Sequence, residues 1–153
     1  MAQTTTADTG AVRELDAGET HLAHAAMCAL RTDYHSEAQF VEHVDGVLRP
    51  GGYRLAGAFQ PAGDQVVAVA GFRVGDSLAW GHHLYVDDLS TLPSARRQGH
   101  AGRLLDWLIK EARAHGCEQI HLDSNVGPER IDAHRLYFSH GFAIYSHHFA
   151  RGV

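Results

Sequence analysis

Cysteine is nearly absent: Cys28 and Cys117 are the only two among 153 residues, far apart and in no metal-ligand spacing. That scarcity excludes a disulfide framework and a zinc cluster, and it makes a reducing, cytoplasmic setting the expectation. Long apolar runs are missing too. The longest, residues 66–72 and 104–109, fall far short of the roughly 20 residues that span a bilayer, so no membrane partner is expected. Nor is there an excess of positive charge. Thirteen Lys and Arg face 18 Asp and Glu, a formal charge of -5, which argues against a protein that grips nucleic-acid phosphates. Residues 1–10 lack the basic start and apolar stretch of a signal peptide and read as a polar, flexible leader. Residues 11–153 then read as a single domain, with no internal repeat and no linker.

What is abundant is histidine, with 13 residues dispersed along the chain. Partial protonation near neutral pH softens the negative charge. His21 and His24 stand at helical spacing, while His82 and His83, and His147 and His148, are adjacent. Adjacent residues on a strand point to opposite faces, and none of these pairs has a carboxylate or cysteine at known ligand spacing. No metal is therefore expected.

Periodicity divides the chain into βααβββαβαβ, an α/β domain around a mixed sheet. Residues 12–15 form a first strand. Asp16 with Glu19, and Ser36 with Gln39, are capping signals that open two helices, the second ending at Pro50-Gly51-Gly52. Three β-rich stretches follow at 53–59, 66–74 and 84–91, separated by turns short enough to require antiparallel neighbours. A helix then carries Ala101, Leu104, Leu105, Leu108, Ile109 and Ala112 on one stripe, with Gly116 placed to end it. A strand at 118–123, a helix from Pro128 to about His140, and a final strand at 142–150 complete the order.

The segment Arg96-Arg97-Gln98-Gly99-His100-Ala101-Gly102-Arg103 joins a strand to the striped helix. Small residues there admit a ligand close to the backbone, and the unpaired N–H groups of a first helical turn attract an anion. A pyrophosphate suits it, yet neither the P-loop ending nor the dinucleotide fingerprint is present. A tight turn with no ligand is the plain alternative.

Three motifs in order resemble the GCN5-related N-acetyltransferase (GNAT) superfamily. Arg96-x-x-Gly99-x-Ala101 is similar to its Gln/Arg-x-x-Gly-x-Gly/Ala motif. Val86-Asp87-Asp88-Leu89-Ser90-Thr91, with Pro93 after it, resembles the family's fourth strand. Ala133-x-x-x-Tyr137-x-x-x-Gly141-Phe142 resembles the signature of the helix after strand five. The resemblance covers roughly residues 11–150. It implies the GNAT fold: a mixed, mostly antiparallel sheet of six to seven strands flanked by four helices. A weaker resemblance, in Asp123-Ser124-Asn125-Val126 and Asp132-Ala133-His134-Arg135, is to a branch containing aminoalkylphosphonate and some aminoglycoside acetyltransferases.

The resemblance also implies acetyl-CoA as co-substrate. Its pyrophosphate would lie on the main-chain N–H groups of Gln98 to Arg103, with Arg96 and Arg97 alongside, and its pantetheine arm along Leu89, Ser90 and Thr91. Ala101 replaces the commoner Gly, and Thr91 a usual Val. Arg130 stands where many members carry an Asn that contacts the arm, and Asn125 is a substitute for it. Tyr137 matches the general acid. Asp87 and Asp88 match the acidic positions near the acceptor, with Asp87 acting through water as the preferred base. Strand alternation predicts that only one of them faces the acceptor. His82, His83 and His134 are alternative bases, and Asp33, Glu37, Glu42 and Asp45 are carboxylates for a cationic acceptor. The implied activity is acetyl transfer to a primary amine of a small molecule or protein. A non-catalytic acyl-CoA-sensing module and a histidine-rich metal buffer are the competing readings. A homodimer paired through the final strand, with Tyr145, His147 and Phe149, is a further expectation.

Overall fold

A computed structural model of the chain describes residues 10–153; all but the last residue of the expected leader lies outside them. Five strands form one sheet in sequence order: β1 (Val12–Leu15), β2 (Arg54–Phe59), β3 (Val66–Ser77), β4 (Gly81–Thr91) and β5 (Gln119–Leu122). The first four are antiparallel, as their short connections demand. Only β5 runs parallel to its neighbour, because α3 (His100–Ala114) carries the chain back across the sheet.

Helices cover both faces of the sheet, so β2 and the first half of β3 are buried runs rather than alternating ones. On one face α1 (His24–Cys28) and α2 (Glu37–His43) close a core of Leu15, Met27, Phe40, Val44, Leu55 and Val69. On the other, Ala56, Ala58, Ala68 and Ala70 make a floor of small side chains on which Leu104, Leu105 and Leu108 of α3 pack, beside Phe72 and Leu84. The margin of that second core includes Leu136 and Tyr137 of α4 (Ile131–Ser139).

Local signals hold at the helix ends. Ser36 Oγ accepts from the Gln39 N–H at 3.3 Å, and Glu19 accepts from the Asp16 N–H at 3.1 Å. Gly116, at φ +70°, donates to the Arg113 carbonyl while Cys117 donates to that of Ala112; this pair of bonds ends α3 as a Schellman motif.

Three expectations change. The first two helices are broken rather than continuous. A 3-10 segment at Ala17–Ala23 precedes α1, and a π-type turn at Val44–Leu48 follows α2. Thr20 is buried between them, donating to Asp45 at 2.7 Å and accepting from Arg49, whose guanidinium also reaches the Leu15 carbonyl. The backbone bends to close that network. Among the described residues the sheet has five strands, not six or seven. Residues 142–150 form no strand, and Ile144, Tyr145 and Phe149 stand in solvent. Alternation identifies a stretch able to form a strand, but only a ladder partner makes it one, and none pairs with it.

Leu105 has no exposed surface whereas Leu78 is fully exposed on the β3–β4 hairpin. Leu105→Ala is expected to cost about 2–5 kcal/mol in urea denaturation, and Leu78→Ala no more than about 0.5 kcal/mol.

Candidate active site

The register between β3 and β4 slips once. Phe72 pairs with Val86 and Gly71 with Asp88, leaving Asp87 as an extra residue in β4. Such a bulge interrupts alternation. It corrects the expectation that Asp87 and Asp88 point to opposite faces: both line one cleft of about 410 Å³, together with Arg31, Val47, Leu48, Gly51, Tyr53 and Arg73.

Each carboxylate is tied down. Arg73 grips Asp87 through both oxygens, at 2.6 and 2.9 Å. Arg31 Nε donates to Asp88 Oδ1 at 2.7 Å, and its Nη2 to the Asp87 carbonyl at 3.1 Å. The Tyr53 hydroxyl donates to Asp88 Oδ2 at 2.7 Å. Burial, and then the negative charge of Asp88, pushes the Tyr53 phenol far above its usual range, so it stays a neutral donor. Tyr53 crosses β3 at Gly71, where a Cβ would overlap its ring and hydroxyl. Only glycine leaves the tyrosine room.

Arg31, Tyr53 and Arg73 come from three separated segments and were not singled out by motif. An arginine within the apolar-rich β3 stretch was the one available signal, since a charge in such a run marks a partner. Other candidates fall outside the cleft. Asp45 serves the Thr20–Arg49 network. Asp33, Glu37 and Glu42 are exposed and do not line the cavity. His82 bonds Asp76 and His83 the Gly81 carbonyl at the start of β4, about 20 Å from Asp88 at the strand rise per residue. His134 is held by Ser124 Oγ and the carbonyl of Asn125 at 3.1 and 3.0 Å.

Beyond the bulge, β4 outruns β5. Their last paired residues are Val86 and Leu122, so residues 87–91 keep an edge with no strand beside it. Leu89, Ser90 and Thr91 remain paired to β3 on the other side. The Ser90 hydroxyl is buried and donates to the Ala26 carbonyl at 2.7 Å, which leaves its backbone as the part open to a ligand.

The chain then enters the 96–103 loop, where Arg97 and Gly99 both adopt positive φ, +61° and +83°. This turns successive amides toward one side. The N–H groups of residues 97–102 find no partner among the described residues, while that of Arg103 donates to the Gly99 carbonyl at 3.1 Å and is already used. Arg103 Nη2 donates to His100 Nδ1 at 2.7 Å, and its Nε is buried with no partner. Arg96 is exposed, Arg97 reaches Asp132 at 3.1 Å, and Gln98 bonds the Ser94 carbonyl. Six N–H groups without a protein partner, leading into a 15-residue helix, are able to receive an anion.

Tyr137 on α4 packs at the margin of the core, with its ring 6.1 Å from that of Phe142. Its hydroxyl has no hydrogen bond among the described residues. Burial raises its pKa, with Arg130 opposing the rise, so the phenol keeps its proton near neutral pH. Among the described residues no group of His, Cys, Asp and Glu could hold a metal ion, and no helix is long and apolar enough to cross a membrane.

The sequence pattern of the Acetyltransferase (GNAT) family matches residues 20–142. The chain belongs to the GNAT family. It is 30% identical over 132 residues to the uncharacterized N-acetyltransferase YhdJ of Bacillus subtilis, covering 86% of this chain and 89% of that one. A shorter similarity, 39% over 57 residues, links it to the aminoalkylphosphonate N-acetyltransferase of Salmonella typhimurium, spanning 37% of this chain and 36% of that protein. In fold it is similar to the crystal structure of a transcriptional regulator from Bacillus halodurans, with a TM-score of 0.77 at 20% identity over 94% of this chain and 99% of that one. GNAT membership accounts for the parallel β4–β5 pair and for the loop motif between them.

Two consequences can be measured. Gly71→Ala forces Tyr53 off Asp88 and is expected to destabilise this GNAT domain by about 1–3 kcal/mol, read as a lower urea midpoint. The second concerns pH. Burial, and then Arg103, holds His100 below the ordinary imidazole range; burial, and then His83, does the same to His121. The unfolded chain therefore binds more protons than the native one, and stability rises with pH. The contribution is complete above about pH 6.5 and is lost as pH falls below it. Urea midpoints at pH 7.5 and 5.5 should show the drop, and His100→Gln should shrink it.

Proposed function

We propose that this protein is an acetyl-CoA-dependent N-acetyltransferase that moves an acetyl group to a primary amine of a small molecule or protein by direct attack in a ternary complex. One observation carries the reading: β4 joins the two halves of such a site in consecutive residues. Asp87 and Asp88 line the acceptor cleft, residues 87–91 keep an open edge, and the unpaired amides of residues 97–102 follow. The residues fit the co-substrate. Arg103 Nε is a buried donor lacking an acceptor, as a site built for an anion would leave it. The amides of 97–102 would hold the pyrophosphate, and the free edge at Leu89, Ser90 and Thr91 would pair with the extended pantetheine arm. Asn125 and Arg130 are the further residues we propose for contact with that arm.

Acetyl-CoA supplies the acetyl group as a thioester. The chain's own groups do the rest. Asp87 and Asp88 hold the acceptor's ammonium and pass its extra proton to water, because only a neutral amine has a lone pair to form the new N–C bond. A main-chain N–H between Leu89 and Thr91 faces the developing oxyanion. As the C–S bond breaks, Tyr137 gives its proton to the departing sulfur, and the second proton lost by the attacking nitrogen returns through water to the phenol, so that amide, thiol and neutral Tyr137 remain. Burial raises the phenol's pKa, so it arrives protonated and releases its proton only on contact with the developing thiolate. The free Cys28 and Cys117 suit a reducing cytoplasm, and a second copy of the chain is the partner that would cover Ile144, Tyr145 and Phe149.

Tyr137→Phe is expected to keep acetyl-CoA affinity and lower turnover by about 10²- to 10⁴-fold, measured as thiol release with a panel of amines and as heat of binding. Tight binding by the unaltered protein with no amine acetylated would instead establish an acyl-CoA-sensing module.

A further inference from the structure

We infer that the acceptor is a short zwitterion, a primary amine bearing a compact anionic group, either carboxylate or phosphonate. Asp87 and Asp88 receive its amine, and Arg31 and Arg73 receive its anion. The inference deepens the acetyltransferase reading and rests on it.

The cleft wall is charged but balanced. Two guanidinium groups face two carboxylates, with contacts of 2.6 and 2.7 Å. A polyamine or aminoglycoside would find no net negative field to draw it in, and each of its ammonium groups would meet a guanidinium beside every carboxylate. A neutral alkylamine would satisfy the aspartates and leave the arginines unanswered. A zwitterion meets both signs.

The arginines retain donors for this task. Arg31 uses Nε and Nη2, and Arg73 uses Nε and Nη2. The Nη1 group of each has no partner among the described residues. Both side chains are half exposed, at 50% and 51%, and both line the cleft, so a solute there can meet them. Both also touch Asp87, one at its carbonyl and one at its carboxylate. Both guanidinium groups are thereby anchored to one residue at the wall of the same cleft, and each is a planar fork able to bind an oxyanion.

Geometry limits the length of the molecule. Positive and negative wall groups lie in direct contact, so the acceptor's amine and anion must be separated by only a few carbons. Val47 and Leu48 line the same cleft and offer those carbons an apolar surface. A volume of about 410 Å³ suits a small metabolite.

The test compares thiol release from acetyl-CoA with 2-aminoethylphosphonate, β-alanine, propylamine and putrescine. At least one of the two amino-anions should exceed propylamine and putrescine in kcat/KM by about tenfold to a hundredfold, and the better of the pair identifies the anion. Arg31→Gln and Arg73→Gln should each shrink that advantage mainly through KM, with Arg73→Lys restoring part of it; thermal melts verify that the variants fold. Propylamine or putrescine matching the amino-anions, or an advantage undiminished in both glutamine variants, would overturn the inference while leaving the acetyltransferase intact. No turnover with any of the four or with a broader amine panel would overturn both.

Discussion

The extra residue in β4 is the constraint on which the acceptor side depends. A regular ladder would give Asp87 and Asp88 to opposite faces of the sheet, one toward the cleft and one toward α3. With Asp87 bulged opposite the Gly71–Phe72 step, both carboxylates line the same cavity, and the strand bends where the two halves of the site join. The bulge is supported from the partner strand. Gly71 has no side chain, so Tyr53 can lie across β3 and reach Asp88. Arg31 and Arg73 then complete the wall from either side. Each of these groups occupies its place because the register slips by one residue.

On the other side of the reaction the governing fact is a mismatch of length. β4 has 11 residues and β5 only four, and their parallel pairing ends at Val86–Leu122. The backbone of residues 87–91 is thereby left with one open edge, directly ahead of the loop whose amides are also open. The first turn of any helix leaves its N–H groups open, and here the open amides of the preceding loop extend that run. The left-handed conformation of Arg97, a residue with a Cβ, adds local strain to the same loop. Unpaired amides, local strain and a buried guanidinium nitrogen without an acceptor thus fall together in one short stretch.

What was legible in the sequence was local. Ser36, Gly116 and the Gly99–Ala101 motif each work within a few residues of chain, so their effects at helix ends could be read from spacing. The apolar stripe of α3 follows from periodicity for the same reason. Non-local features were hidden. The bulge depends on how β3 is registered against β4, and no pattern within residues 81–91 reveals it. Arg31, Tyr53 and Arg73 meet only after the sheet and α1 pack. The stretch 142–150 has strand-like alternation, yet alternation describes a surface able to pair and not the presence of a partner. Thr20 shows the converse: a single buried hydroxyl, held by Asp45 and Arg49, reshapes two helices that propensity alone would have drawn as continuous.

The two halves of the site are also electrically unlike, and the difference bears on order and selectivity. The loop after β4 presents aligned amides, the positive end of α3 and the arginines around it, so it attracts a polyanion at a distance. The acceptor cleft presents balanced pairs, which exert little long-range pull and discriminate only on contact. In the proposed reaction, steering would favour the polyanionic co-substrate reaching its half first, with the acceptor then selected by fit. The histidines modulate the first half more than the second. His100 sits in the opening turn of α3 against Arg103, whereas no histidine lines the acceptor cleft. Protonating His100 would set an imidazolium against the guanidinium that now donates to it, so acid disturbs the anion loop directly. In the proposed reaction, histidine thus bears on the fold and on the 96–103 loop, while acceptor choice would rest on the arginine–aspartate wall.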